Sequence, residues 1–473
     1  MQTEIEVLLS LVTRLPDRRS QGRAIRSWEV VPDTTLNMKL PILLLLCFVS
    51  SVAAGKNWAM LFTGAHDWEN YSTHSNLCHA YHVLHKAGIP DERIVVVMYN
   101  DIADNPLNPF PGKLFNNYNN TDVYRGTPMD YTGKEVTADL VLAVLKGDKA
   151  TVKNLIGREG KVVDSGPKDN VFVAVSDHGA PGVLLMPDRL MHAKELNAAL
   201  RYMHSNKKFA NLIFYLESCE SGSMFKNLPK NVYALTAAGK DTDAYMNYCF
   251  DPKIKGICIG GQFSTAWIEN SGRVDLNTFT FRQQATAIEK HVNRSHPLIF
   301  GDHSLLDRPL IDFFGSRSRA KRILTFTDLP HTPQGSNAHT APFHSMELTL
   351  LKRQIEKNPS DIELRLKLSQ LQKLRSVVDR FYALAVRHVY MFGSSTNIHK
   401  ILTVNNEPIG NWDCYEAAVN AVSASCNGLV QHRKVQGYFL SRLSVLVNIC
   451  NRETGPDVVG GVRVASKATA LCR

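Results

Sequence analysis

Asn170-Val171-Phe172-Val173-Ala174-Val175-Ser176-Asp177-His178-Gly179 and, further along, Leu212-Ile213-Phe214-Tyr215-Leu216-Glu217-Ser218-Cys219-Glu220-Ser221-Gly222-Ser223 decide the fold. Each begins as an unbroken apolar run and ends in polar, reactive residues. Unbroken apolarity, in place of alternation, predicts a strand buried on both faces, the habit of parallel sheets covered by helices. Residues 58–62 and 93–99 repeat the pattern. Between these runs Leu77, Ala80, Leu84 and Ala87 recur at helical spacing before a stop at Gly88 and Pro90. Thr137 caps a second predicted helix ending near Gly147, and Leu196, Ala199, Leu200 and Met203 mark a third. This alternation predicts an α/β domain with a mostly parallel central sheet.

Reactive groups in such sheets collect at the carboxyl ends of strands. His178 and Cys219 end two of the runs, which makes them a base and nucleophile pair for attack on a carbonyl. Gly179 lets a backbone N–H come close to the reacting oxygen, and the N–H of Cys219 is the second oxyanion donor. No phosphate-binding glycine loop precedes a helix, and no cofactor is expected. His79, His82 and His85 have a ligand-like spacing, but without HExxH or paired CxxC no metal site is expected.

The flanks of the chain bear on its compartment. Met38-Lys39-Leu40-Pro41, the apolar residues 42–49 and the small-residue exit at Ala53-Ala54-Gly55 read as a secretory signal within 1–54, with Met38 the working start. The apolar run is too short to span a membrane. Secretion places the nine Cys in an oxidising setting; Cys414, Cys426, Cys450 and Cys472 can form two disulfides in any of three pairings. Residues 316–345, with Arg317, Arg319, Lys321 and Arg322 followed by prolines among Ser, Thr, His and Gly, read as an exposed linker. From 359 to 473, Leu364, Leu368, Leu371, Leu374, Val378, Phe381 and Ala385 describe a long amphipathic helix leading into a small helical region. The net charge of +10 suggests nucleic acid at first sight, yet fourteen basic against eight acidic residues fall in 359–473 alone, and the basic run of the linker has no interleaved aromatics. No nucleic-acid partner is expected.

Asn70-Tyr71, Cys78-His79-Ala80-Tyr81, Gly88-Ile89-Pro90-Asp91-Glu92, Thr121-Asp122-Val123-Tyr124, Asp130-Tyr131-Thr132-Gly133, Asp177-His178-Gly179 and the 217–223 motif occur in the order found in the legumain family, the asparaginyl endopeptidases, which the chain resembles over roughly 56–473. The resemblance implies a caspase-like peptidase domain at 55–315, a linker or activation peptide at 316–358 and a helical prodomain at 359–473. It implies Cys219 as nucleophile, His178 as its partner, Asn70 supporting the His, and Asp177 as a succinimide-forming residue tied to a ligase side activity. Cystines are expected as Cys414–Cys450 and Cys426–Cys472. The enzyme would be a secreted or lysosomal zymogen, monomeric once activated, acting on proteins and peptides and inhibited by its own prodomain. Self-cleavage is expected after Asn358, with Asn337 as fallback. A basic lid paired with cleft carboxylates such as Glu217 would open in acid.

Three charges read asparagine in that family: an Arg two residues after the conserved Asn, a Glu before the Cys motif and an Asp later on. Here the positions are Ser72, Glu217 and Gly261, so only the Glu is kept. Loss of two pocket charges implies relaxed or redirected selection for asparagine, with His74 or Gln262 as replacement polar groups. Asn70-Tyr71-Ser72 is also a glycosylation sequon, as are those at Asn119 and Asn293. Competing readings are a GPI-transamidase-type subunit, opposed by the paired-Cys tail, and a catalytically silent binding protein that has lost its pocket.

Overall fold

The computed structural model describes residues 55–452 apart from 119, 250, 252, 255, 317–339, 390–394 and 405–406. The predicted leader and signal, Asn119, the basic run from Arg317 to Arg322, Asn337 and Cys472 lie outside the described residues. In chain order the strands are β1 (Asn57–Phe62), β2 (Ile94–Val97), β3 (Asn170–Ser176), β4 (Gly179–Ala180), β5 (Val183–Leu185), β6 (Leu190–His192), β7 (Asn211–Glu217), β8 (Val232–Thr236), β9 (Tyr245–Cys249), β10 (Cys258–Gly261), β11 (Leu298–Gly301) and β12 (Ala341–Pro342).

The central sheet runs β11-β8-β7-β3-β1-β2, with every pair parallel except the antiparallel edge strand β11. Alternate residues of β1, β3 and β7 enter two separate cores, one on each face, which is why these strands are apolar throughout. Helices α1 (Tyr71–Ala87), α2 (Ala138–Lys146), α3 (Lys149–Ile156), α4 (Ala193–Ser205), α5 (Gln262–Ser271) and α6 (Phe281–His291) accompany the sheet. The predicted boundaries hold: α1 stops on left-handed Gly88, and Thr137 accepts the Leu140 N–H before α2 ends at left-handed Gly147. Register fixes the site. Ser176 of β3 lies opposite Glu217 of β7, so the chains leaving both strands emerge side by side.

The C-terminal region is helical: α7 (Met346–Lys357), α8 (Ile362–Val389), α9 (Ser395–Thr403), α10 (Trp412–Ser425), α11 (Gln436–Ser441) and α12 (Ser444–Cys450). Leu371, Val378, Phe381, Ala385 and Val386 form the buried stripe of α8. A disulfide joins Cys414 to Cys450 as the resemblance implies. Cys426 is also disulfide-bonded. A further bridge, Cys249–Cys258, ties register partners of β9 and β10; these two cysteines carried no pairing signal in the sequence.

One expectation fails over part of its length. Composition makes 316–345 an exposed linker, but 340–345 is packed: β12 adds antiparallel to β9, Ala341, Phe343 and His344 are buried, and Met346, Leu350 and Leu351 of α7 are buried directly after them. The apolar residues at 343, 346, 350 and 351 have helix-face spacing, obscured in the sequence by the prolines and histidines beside them.

Candidate active site

His178 follows β3 and is buried. Its Nε2 lies 2.8 Å from Asn70 Oδ1, while the amide nitrogen of Asn70 donates to the His66 carbonyl. With Asn70 presenting its oxygen, Nε2 carries the proton and Nδ1 keeps its lone pair; Nδ1 has no hydrogen-bond partner among the described residues. Burial, reinforced by the nearby His344, pushes the imidazole pKa down to about 3, so His178 is neutral. A short helical turn just before α1 carries Asn70 to this position.

Cys219 follows β7 and is fully buried; the Ala244 N–H donates to its Sγ at 3.3 Å. Burial pushes the thiol up to about 11, against a lowering pull from His344. Gly179 explains how the two strand ends meet. A Cβ there would lie 2.5 Å from the Cys219 carbonyl oxygen and 2.7 Å from Ser218 Oγ, so any larger residue would force them apart.

Asp177 is fully buried, with Oδ1 accepting the N–H of the next residue, His178, at 2.7 Å and Oδ2 accepting the Gly64 N–H. Burial outweighs these bonds and pushes its pKa up to about 7; Glu217 is pushed to about 7 by the same cause. Both folded-state values exceed the ordinary carboxyl values, so the folded protein holds protons that the unfolded chain gives up. Their contribution is greatest below about pH 4 and is lost as pH rises towards 7, at up to about 1.4 kcal/mol per pH unit for each group. Thermal melts from pH 5 to pH 8 should show a falling Tm, and Asp177→Asn should flatten the decline. A Tm that rises over this range would contradict the assignment.

The pocket residues are brought together only in part. Glu217 Oε1 accepts the Phe263 N–H at 3.0 Å, and Oε2 accepts the Ser264 N–H at 3.3 Å and the Asn76 amide at 3.1 Å. The carboxylate therefore caps the amino end of α5. Gly261 immediately precedes α5, and a Cβ there would lie 2.0 Å from Glu217 Oε2. Ser72 is buried and donates to Met246 Sδ at 3.0 Å. Neither suggested replacement is free. His74 Nε2 lies 3.0 Å from the Ala65 carbonyl oxygen, and the Gln262 side chain donates to Asn293 and accepts from the Arg294 and Ser295 N–H groups.

Across this site lies a strap that the sequence did not foretell. Phe343 N–H donates to the Ala244 carbonyl at 3.0 Å, continuing the β12–β9 pairing, and the Phe343 ring stacks on His178 at 4.1 Å between centroids. His344 Nε2 donates to the Gly179 carbonyl at 2.8 Å, and its Nδ1 lies 3.2 Å from Asp243 Oδ1. Behind the strap, the apolar residues Ala180, Val183, Leu185 and Leu190 share one core with Tyr415, Phe439 and Leu440 of the C-terminal region. Tyr415 donates to the Pro181 carbonyl at 2.6 Å, and Gln431 to that of Met186 at 3.0 Å.

The charge reading needs correction here. Glu217 is inside the protein and meets no basic residue among the described residues of the C-terminal region. Among the described residues, the ion pairs between 359–452 and the catalytic region are Arg433–Glu69 at 3.8 Å and, with reversed polarity, Lys194–Glu416 at 3.5 Å. Apolar burial and backbone-directed hydrogen bonds outweigh such partly exposed pairs. His79, His82 and His85 are engaged with Asn116, the Val123 carbonyl and Asp91 respectively, so they do not converge on one point. Asn358, the expected cleavage position, is exposed at the end of α7.

The sequon at Asn70 is closed by the fold, since the side chain is 1% exposed and both ends of its amide are used. Asn293 is exposed. Peptide mass spectrometry of protein from a glycosylating host should find Asn70 unmodified; a glycan there would contradict this geometry.

Residues 57–316 match the Peptidase C13 family. Legumain of Rattus norvegicus is 35% identical over 426 residues, covering 88% of this chain and 93% of its own. Legumain of Homo sapiens is 35% identical over 402 residues, covering 84% and 90%, and the vacuolar-processing enzyme delta-isozyme of Arabidopsis thaliana is 34% identical over 442, covering 89% and 91%. Among solved structures, caspase-1 of Spodoptera frugiperda aligns with a TM-score of 0.33 at 11% identity, over 56% of this chain and 92% of that one. The chain belongs to the Peptidase C13 family and is a cysteine endopeptidase related to the legumains.

Proposed function

We propose that the protein is the zymogen of a legumain-type endopeptidase in which Cys219 is the nucleophile and His178 its partner. Gly179 and Cys219 supply the oxyanion N–H groups. The strap at 341–344, laid over both catalytic side chains, is the observation that carries this reading. It pairs with β9 as an extended peptide would, stacks on His178 and covers Cys219, so the closed chain is set up for peptide binding and blocked from it. Residues 359–473 act as the prodomain, and cleavage at the exposed Asn358 would loosen it from the strap. With the strap withdrawn and the burial and the His344 charge that depress it relieved, His178 Nδ1, which has no hydrogen-bond partner among the described residues, would be suited to taking the thiol proton and returning it to the departing amine. Asp177, with its carboxyl against the His178 N–H, has the arrangement a succinimide needs.

Selection at the cleaved bond is relaxed relative to strict asparagine. Glu217 is committed to α5, Ser72 to Met246, and His74 and Gln262 to the main chain or Asn293. No fixed pair of charges is left to make other residues costly. The signal read within 1–54 and the Cys414–Cys450 cystine support a secretory-pathway enzyme; a lysosomal or vacuolar processing role and a monomeric state after activation belong to the same proposal.

Two measurements on processed protein test these assignments. A thiol-reactive peptidyl probe should label Cys219, and the lack of such labelling after strap removal would favour the silent-binding reading. Peptides identical except for Asn, Asp, Ala or Leu before the scissile bond should be cleaved within about tenfold of one another, the size of effect expected when no buried pair is left unsatisfied. Strict asparagine selection would sink relaxed specificity.

A further inference from the structure

Four potential ligands from three parts of the chain converge at the strap: Cys219 and Glu220 after β7, Asp243 before β9, and His344 on the strap itself. One ligand atom from each lies within 4.8 Å of the other three. Three details set this cluster apart from an ordinary ion-pair group. Glu220 is nine-tenths buried and its Oε2 has no hydrogen-bond partner among the described residues, only a long contact of 3.9 Å to His344 Nε2, although burying a carboxylate oxygen without a hydrogen bond is costly. Its backbone is held in the left-handed region at φ 48°, which a residue other than glycine seldom adopts without cause. His344 is oriented as a metal-bound histidine is: Nε2 donates to the Gly179 carbonyl, and Nδ1 faces the cluster, 3.2 Å from Asp243 Oδ1.

We infer that Cys219, Glu220, Asp243 and His344 form a Zn²⁺ site that clamps the strap to the catalytic cysteine in the unprocessed chain. Thiolate and imidazole favour zinc over magnesium or calcium, and two carboxylates complete a tetrahedral set. Zinc–ligand bonds of about 2.0–2.3 Å hold ligand atoms roughly 3.2–3.8 Å apart, so the widest present separation of up to 4.8 Å needs to contract by about 1.0–1.6 Å. On binding, the Cys219 S–H bond breaks, its proton leaves to solvent and an S–Zn bond forms; no electron is transferred. One ligand comes from the strap, so removing the strap leaves three and weakens the hold. A zinc-bound thiolate cannot attack a peptide bond, so metal release would become a step in activation. That consequence rests on the nucleophile assignment above; the binding itself does not.

The test uses the full unprocessed chain, stripped with a chelator and titrated with Co²⁺ and then Zn²⁺. One equivalent of Co²⁺ should produce thiolate-to-cobalt charge transfer and intense tetrahedral visible bands, both displaced by Zn²⁺. Cys219→Ser should remove the charge-transfer band, and His344→Ala should weaken Zn²⁺ binding at least tenfold. Asp243→Asn, a milder change, should weaken it as well if His344→Ala fails to fold. Added Zn²⁺ should slow probe labelling of the unprocessed chain, and chelator should restore it. Binding without a charge-transfer band, binding unchanged in both ligand variants, or no binding overturns the site. Failure of the probe to label metal-free, processed enzyme would instead overturn the nucleophile assignment and leave the metal titration standing.

Discussion

Cys219→Ser is expected to lower kcat/KM on any cleavable peptide by about 10⁴-fold or more, while shifting stability by less than about 1 kcal/mol. The two effects separate because the thiol is central to the chemistry and minor in the packing. Removing the nucleophile leaves only binding and the oxyanion donors, whereas a hydroxyl with no poised thiolate equivalent attacks poorly. In the fold, Sγ accepts one N–H, from Ala244 at 3.3 Å, and serine keeps an acceptor in that place with slightly less bulk. The variant should therefore stay as an unprocessed chain of unchanged melting temperature if the cut after Asn358 is the enzyme's own. Adding active wild-type protein should restore that cut, because Asn358 is exposed on the variant too. Peptidase activity within tenfold of wild type would remove Cys219 from the mechanism.

The central sheet and the side-by-side ends of β3 and β7, which lead into His178 and Cys219, were legible in the sequence because both depend on local pattern. An apolar run becomes a doubly buried strand, and parallel strands bring their carboxyl ends to one edge. Asn70 was legible only through family resemblance. Nothing local marks an asparagine, amid the polar start of a helix, as the partner of a histidine more than a hundred residues away. The strap was hidden for a different reason. Prolines, histidines and serines around Phe343 have linker composition, and the energy that orders them comes from His178, the Ala244 carbonyl and the buried pocket for Ala341, none of which lies nearby in sequence.

Charge misled in a third way. The excess at 359–473 is real, yet formal charge is silent on orientation, and the contact with the catalytic region is mainly an apolar core with directed hydrogen bonds to main-chain carbonyls of Pro181 and Met186. Glu217 was the natural partner for a basic lid when read along the chain. Its position at the amino end of α5 depends on β7 and β10 lying close in space, which a linear reading does not supply.

That position of Glu217 leads to an outcome opposite to what motif repair suggests. Gly261→Asp, which restores the acidic residue usual in the family, should destabilise the fold by about 4 kcal/mol and should not restore strict asparagine selection. The new Cβ would fall 2.0 Å from Glu217 Oε2, so the Glu217 carboxyl must move, although side chains as long as glutamate usually yield cheaply. Here the displaced oxygens release the Phe263 and Ser264 N–H groups and the Asn76 amide, leaving buried donors unsatisfied at roughly 1–3 kcal/mol each before any rearrangement. A second carboxyl beside the first adds like-charge repulsion, which one of them escapes only by binding a proton. Ser72→Arg alone should not rescue the variant, because Ser72 is buried against Met246 and a guanidinium there overpacks the same core. Urea unfolding of Gly261→Asp beside Gly261→Ala separates the contributions: the alanine variant carries the clash without the charge and should lose less. If Gly261→Asp folds with wild-type stability and selects asparagine, Glu217 is a free pocket residue and its capping of α5 is dispensable.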